Sequence, residues 1–203
     1  MTEFTAQERI KMAATKVFTL KGLEGARMQD IADEANINKA MLHYYFKNKQ
    51  QLFEIIFEEK LHKIFGALES LVFSKDTFES RIRTFVGKQI SIVLEFPLMP
   101  IFVMLEVRKN PVLLEGKFKH IPLDTIRDNF RKVIDEEVRA GNIRAITLEE
   151  LLMNVMSLCI YPIIAEPILK FVLNIDQDRY IALIEERKKT VSELIINDLK
   201  IVK

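Results

Sequence analysis

Cysteine is nearly absent from this sequence: Cys159 is the only one in 203 residues. No disulfide can therefore close within the chain, and a lone thiol fits a reducing cytoplasm. Tryptophan is missing altogether, and six Gly and six Pro leave little punctuation, so the elements should be long and the turns few. There is no apolar–polar alternation of useful strand length, no internal repeat and no low-complexity linker. An excess of one charge is missing as well. The 30 Lys and Arg almost cancel the 29 Asp and Glu, giving a net charge of +1. The whole chain is thus no general polyanion binder, and affinity for nucleic acid must come from a local patch. The opening stretch MTEFTAQERIK is too charged for a signal peptide. The longest uncharged apolar run, 151–165, is short for a bilayer, contains Asn154 and ends near Pro162 and Pro167. It reads as a buried helix, and no membrane partner is expected.

Signatures of catalysis are missing too. His43, His62, His120 and Cys159 fall on four different predicted elements, with none of the C-x-x-C or H-x-x-x-H spacings of a metal site. No Gly-rich phosphate loop, G-x-S-x-G elbow or clustered carboxylate pair occurs. No enzyme, metal or cofactor is expected.

What the sequence does contain is concentrated in residues 27–49, RMQDIADEANINKAMLHYYFKNK. Met28, Ile31, Ala32 and Ala35 have the three- and four-residue spacing of one helical face. Asn36 and Asn38 interrupt it, and Asn tolerates a turn and caps the helix that follows. A second short helix over about 39–46 buries Leu42 and Phe46, with Ile37 in the turn. It leaves Lys39, Ala40, His43 and Tyr44 outward. Two helices this short need a third as backing, because nucleation is costly. Thr5 and Glu8 supply its start as a capping box, Ile10, Ala13, Ala14, Val17 and Phe18 its stripe, and Gly22 its end. The three form a helix-turn-helix unit.

DIADEANINKAMLHYYFKNKQQLF also resembles the DNA-binding segment of the TetR (tetracycline-repressor-like) family of bacterial transcriptional regulators. The residues that carry the likeness are Asp30, Ile31, Ala32, Leu42, Tyr44, Tyr45, Phe46, Lys49 and Leu52. It spans roughly residues 5–57; beyond them only the general architecture is alike. Arg27 stands where that family usually has a Ser or Thr cap, and His43 where an aromatic or small polar residue is common. The resemblance implies that the outward face reads a DNA groove. Lys39 and His43 can donate to guanine acceptors, and small Ala40 allows close approach. Gln29, Asn38, Tyr44, Tyr45 and Lys49 join the expected contact set, Lys49 being preferred over Lys47 for a phosphate at the start of the next helix.

Past the head, a helix is expected from about 49 to 72, another beginning at 76–79, and a short one over 101–108 after breaks at Pro97 and Pro100. A connection containing His120 leads to a helix over about 123–140, closed by Gly141. Thr147 and Glu150 open a very apolar helix to Ile164, bent or broken by Pro162 and Pro167. Asn174 or Asp176 caps the last helix, which ends near Leu199. The fold class is all-α with about nine helices: a head over 1–49 and a ligand-binding and dimerisation body over 50–203. Following the family, the body is expected to hold a mainly apolar pocket near Phe65, Phe85, Phe102, Glu106 and Met156 for a small lipophilic effector. Tyr180, Ile181, Ile184, Val191, Leu194, Ile195 and Leu199 form a stripe suited to a homodimer, with Arg187 and Lys188 at its edge or paired with an acid. The expected role is a repressor that binds a palindromic operator in double-stranded DNA and is released by its effector. An all-α carrier or interaction module without specific DNA binding is the alternative.

Overall fold

The structure, a computed structural model, describes residues 4–95, 97, 99–109, 111–112 and 122–201; within helices, the side chains of 60, 61, 64, 65, 70, 71 and 99 fall outside the description. The connection containing His120 and the side chain of Phe65 thus lie outside the described residues. Ten helices are present among those described: α1 (Ala6–Gly25), α2 (Met28–Glu34), α3 (Lys39–Tyr45), α4 (Lys49–Phe73), α5 (Phe78–Glu95), α6 (Met99–Lys109), α7 (Leu123–Arg139), α8 (Leu148–Ile164), α9 (Glu166–Leu173) and α10 (Gln177–Leu199). There is no strand among them. The chain divides into two compact units, Met1–His62 with Leu98–Lys117, here the head, and Lys63–Pro97 with Phe118–Lys203, here the body. The sequence boundary at 49/50 follows the motif. Packing carries the head further, because Leu52, Phe53, Ile56 and Phe57 on the first half of α4 are fully buried in it.

In the head, the capping box is made in full: Glu8 N–H donates to Thr5 Oγ1 at 3.2 Å, and Thr5 N–H to Glu8 Oε2 at 2.8 Å. Gly22 does not end α1 but kinks it, at φ 69° and ψ 171°, a conformation essentially reserved for glycine. A Cβ there would meet Lys109 Nζ at 2.9 Å, so α6 approaches α1 closely at the kink. α6 begins earlier than expected. Pro100 sits in its first turn, where no intrahelical N–H is needed, and so it starts a helix instead of breaking one. Phe102 on α6 packs against Phe18 (6.3 Å between ring centroids), Phe53 (5.3 Å) and Phe57 (6.2 Å).

Three helices stop in the same way. Asn36, Gly141 and Asn174 take left-handed φ values of 54°, 70° and 49°. Around each, two amides return to carbonyls in the last turn: Asn36 and Ile37 to Asp33 and Ala32, Gly141 and Asn142 to Val138 and Glu137, Asn174 and Ile175 to Phe171 and Lys170. This is the Schellman closure, which uses carbonyls a helix end would otherwise leave bare. Asn174 thus ends α9, and Asp176 caps α10 through Arg179 N–H at 2.8 Å.

In the body, α5, α8 and α10 pack on one another around Ile82, Phe85, Val86, Ile90, Val155, Ile184 and Val191. Thr77, not Asp76, caps α5, accepting from Ser80 N–H at 3.3 Å. α8 continues past Pro162 to Ile164, and α9 leaves at 71° after Ala165. Proline has no N–H for the carbonyl four residues back, and the Arg187 guanidinium takes its place, donating to Leu158 O at 2.8 Å. Arg187 was expected at the stripe's edge or on an acid; a carbonyl freed by proline claims it instead. Lys188 does pair with an acid, Glu185, at 2.6 Å.

Candidate nucleic-acid interface

The recognition unit is built by caps. Asn38 Oδ1 accepts from Met41 N–H at 2.7 Å and starts α3. Arg27 has no oxygen with which to cap α2; instead its own N–H donates to Asp30 Oδ2 at 3.1 Å, and Lys21 Nζ approaches the same carboxylate at 2.9 Å. Those bonds, Lys21 first, hold the Asp30 carboxyl below the usual Asp value. Leu42 and Phe46 are buried and Ile37 half-buried, so α3 is pinned by one face.

Its other face carries Lys39, Ala40, His43 and Tyr44, all exposed, Tyr44 at 83%. A phenol ring so uncovered forgoes the burial that normally stabilises an aromatic side chain. Tyr45 is 38% exposed and stands edge-on to Tyr44, with centroids 5.2 Å apart. His43 Nδ1 lies 3.2 Å from Lys47 O. A carbonyl only accepts, so Nδ1 carries the proton and Nε2 is left to face outward. A neutral ring then accepts there, suiting an adenine or cytosine amino group, and a cationic ring donates, suiting guanine. Residues 35–53 hold three lysines and no Asp or Glu, a local basic stretch in a nearly neutral chain. Gln29 is exposed on the first turn of α2, with its amide on Asp33 Oδ1 at 2.7 Å.

Lys49 has another task. Its ammonium donates to Glu24 O at 2.8 Å and to Ala26 O at 3.1 Å, closing the end of α1. With two of three N–H bonds spent, it is a poor phosphate donor. Lys47 is exposed and makes no ion pair among the described residues. It stands beside the start of α4, where Asn48 Oδ1 caps Gln51 N–H at 2.8 Å and the N–H groups of Lys49 and Gln50 have no intrahelical acceptor. The sequence pattern preferred Lys49 for a phosphate, whereas the structure engages its ammonium at the end of α1 and leaves Lys47 exposed. The signal available was that the Lys47 carbonyl falls one turn after His43, which ties this turn to the recognition face.

The expected effector residues do not form one site within either unit. Phe102 belongs to the head's aromatic cluster and Phe85 to the body core, and both are wholly buried by neighbours. Glu106 is buried in the head with Lys109 Nζ at 3.3 Å, and Met156 leans on the body core half-buried. Four cavities of about 500, 550, 690 and 510 Å³ lie in the body, and none is lined by these residues. Among the described residues no group of His, Cys, Asp or Glu could hold a metal ion. No single helix there is long and apolar enough to cross a membrane.

Comparison with known proteins agrees with this geometry. Residues 10–56 match the model of the bacterial regulatory proteins of the tetR family. The fatty acid metabolism regulator protein of Bacillus subtilis (strain 168) is 23% identical over 187 residues, 92% of each chain. The HTH-type transcriptional repressor KstR2 of Mycolicibacterium smegmatis is 32% identical over 80 residues, 39% of this chain and 37% of its own. Among solved structures, FadR of B. subtilis in complex with stearoyl-CoA superposes with a TM-score of 0.59 at 20% identity, over 94% of this chain and 98% of that one. An exposed, acid-free recognition helix sits inside the matched segment, and the likeness in fold extends over nearly the whole length. Residues 10–56 thus match the DNA-binding region of the tetR family of bacterial regulatory proteins, and the chain as a whole resembles transcriptional regulators of known structure in fold.

Proposed function

We propose that this protein is a ligand-responsive repressor that binds a palindromic operator as a homodimer through α3, and that a lipophilic effector releases it. The observation that carries the DNA-binding part is the face of Lys39, Ala40, His43 and Tyr44, held outward by buried Leu42 and Phe46. Lys47 and the first amides of α4 serve the phosphates, with Gln29, Asn38 and Tyr45 around them. For the dimer, the support is the exposed trough between α8 and α10, lined by Asn154, Ser157 and Leu158 on one helix and Leu194 and Asp198 on the other. Tyr180, Ile184, Val191, Ile195 and Leu199 of the expected stripe are covered by the protomer itself, whereas Leu194 and Ile181 stay 58% and 42% exposed. A second copy on this trough would make a four-helix contact and present two α3 helices to half-sites about 34–36 Å apart. The B. subtilis relative that binds stearoyl-CoA supports a long-chain acyl effector. Such a ligand acts only by binding the released arrangement better than the DNA-bound one.

Selection of bound sequences from random DNA, followed by gel shift at two salt concentrations, tests the reading. Two palindromic half-sites and a steep salt slope are expected. Weak binding blind to sequence would leave an all-α carrier as the better description. Stearoyl-CoA should lower operator affinity by roughly 5–150-fold, the span of typical couplings; unchanged affinity would remove this effector class.

A further inference from the structure

α9 is an anomaly in a folded chain. None of its residues is buried, and Ile168, Phe171, Val172 and Leu173 are 63%, 86%, 69% and 55% exposed. It is nonetheless a well-specified helix, with a proline in its first turn and a Schellman closure at Asn174. A patch of this kind on a monomer marks an interaction site. Beside it, between α8, α9 and α10, lies a cavity of about 550 Å³ lined by Tyr161, Pro162, Leu169, Ile175, Leu183 and Arg187 among others. The patch and the cavity sit next to each other on one protomer, so a two-fold axis can bring each against its counterpart.

We propose that α9 is a docking arm for a second copy of this chain, placing Phe171 and Val172 of one protomer in the α8–α9–α10 cavity of its partner. The proposal rests on the homodimer reading above and extends it to a helix outside the two long ones. Continuity favours this occupant, since α9 joins the end of α8 to the start of α10, the same pair that frames the trough, and Tyr161 and Ile181 beside it are also exposed. Charge disfavours a lipid surface. A helix that lies on anionic membrane carries several Lys or Arg on its polar face. α9 has only Lys170, already engaged by Gln177 Oε1 at 2.5 Å and Glu166 Oε1 at 3.8 Å. A small molecule in the cavity would leave Phe171 uncovered.

The test uses the full chain with a photoreactive benzoylphenylalanine at position 171, together with Phe171→Asp and Leu194→Glu, followed by sedimentation equilibrium and mass spectrometry. The expected result is an inter-protomer adduct mapped to partner residues 183–190. Phe171→Asp should also raise the dimer Kd on the order of 100-fold, in the range of a buried aromatic anchor. Because Phe171 is so exposed on the protomer, the variant should melt as the wild type does at a concentration that keeps both monomeric. A dimer that is weakened by Leu194→Glu but unchanged by Phe171→Asp, with no inter-protomer adduct, overturns the arm and leaves the dimer standing. A chain that is monomeric at micromolar concentration overturns both. An adduct only to lipid, in vesicles of phosphatidylglycerol, overturns the arm in favour of a membrane.

Discussion

The head and the body spend their aromatic residues in opposite ways. In the head, Phe18, Phe53, Phe57 and Phe102 close on one another and are almost wholly buried, while the outward face of α3 carries Lys39, His43 and Tyr44. In the body, Phe85 and Phe130 anchor the core, yet Phe171, Met153, Leu194 and Ile168 remain outside. A surface of lysine, imidazole and phenol suits a hydrated polyanion, and a surface of Phe, Met and Leu suits a partner that excludes water. Two surfaces of one chain are therefore addressed to different chemistries.

Substitutions can break or sharpen this contrast. The largest effect should come from Phe53→Ala, which removes the centre of the head's cluster and should cost about 3–5 kcal/mol. Phe171→Ala, the same deletion on α9, should change the stability of the protomer by no more than about 0.5 kcal/mol. Urea denaturation of both at a concentration that keeps the chain monomeric checks the pair. Equal losses would mean that the exposed patch is already covered.

A smaller effect is expected in the body from Arg187→Met, which strips the Leu158 carbonyl of its donor and should cost about 1–3 kcal/mol. Pro162→Ala returns a backbone N–H to that carbonyl, so the same substitution should cost clearly less in that background. A double-mutant cycle reads the difference, and additivity would show that the bond is idle.

In the head, Lys49→Ala should lose about 1–2 kcal/mol of stability, because two carbonyls at the end of α1 lose their donor. Lys47→Ala should leave stability alone and lower the salt slope of operator binding by about 1. The reverse assignment would restore Lys49 as the phosphate ligand.

The smallest effect is electrostatic. The Asp30 carboxyl is held low by Lys21 and the Arg27 N–H, so its contribution is complete above the ordinary carboxylate range and fades as pH falls through the lowered folded value. Asp30→Asn should therefore shift the urea midpoint at neutral pH and converge with the wild type in strong acid. In the body, burial pushes the Cys159 thiol up to about 12, so it should resist alkylation in the native state and react on unfolding.

The head was the more legible unit. Thr5 with Glu8, the Asn36 turn and the Leu42–Phe46 face are local devices, and each sits within a few residues of what it organises. The roles that escaped are non-local. Lys49 is claimed by carbonyls 23 and 25 residues earlier, and Arg187 by one 29 residues earlier. Phe102 packs in the head, which the sequence did not show, because a Phe at helical spacing does not reveal which unit will bury it. Pro100 and Pro167 were expected to break helices and instead sit in the first turns of α6 and α9, where proline costs no hydrogen bond. α9 is accordingly the helix missing from the expected count of about nine.

The bond from Arg187 to Leu158 also has a mechanical side. Apolar faces of two helices can slide along each other, since one Leu or Ile fits the next groove nearly as well. A guanidinium seated on the single carbonyl that Pro162 has vacated fits at one position only, and the Tyr180 hydroxyl donating to Pro162 O at 3.1 Å fixes the same alignment from the next turns of α10. A slip by one helical turn, about 5.4 Å, would strand all of these groups at once. Proline inside α8 thus acts as an index mark: it sets where α10 stops against α8, and with it which side chains meet across the trough that the two helices frame.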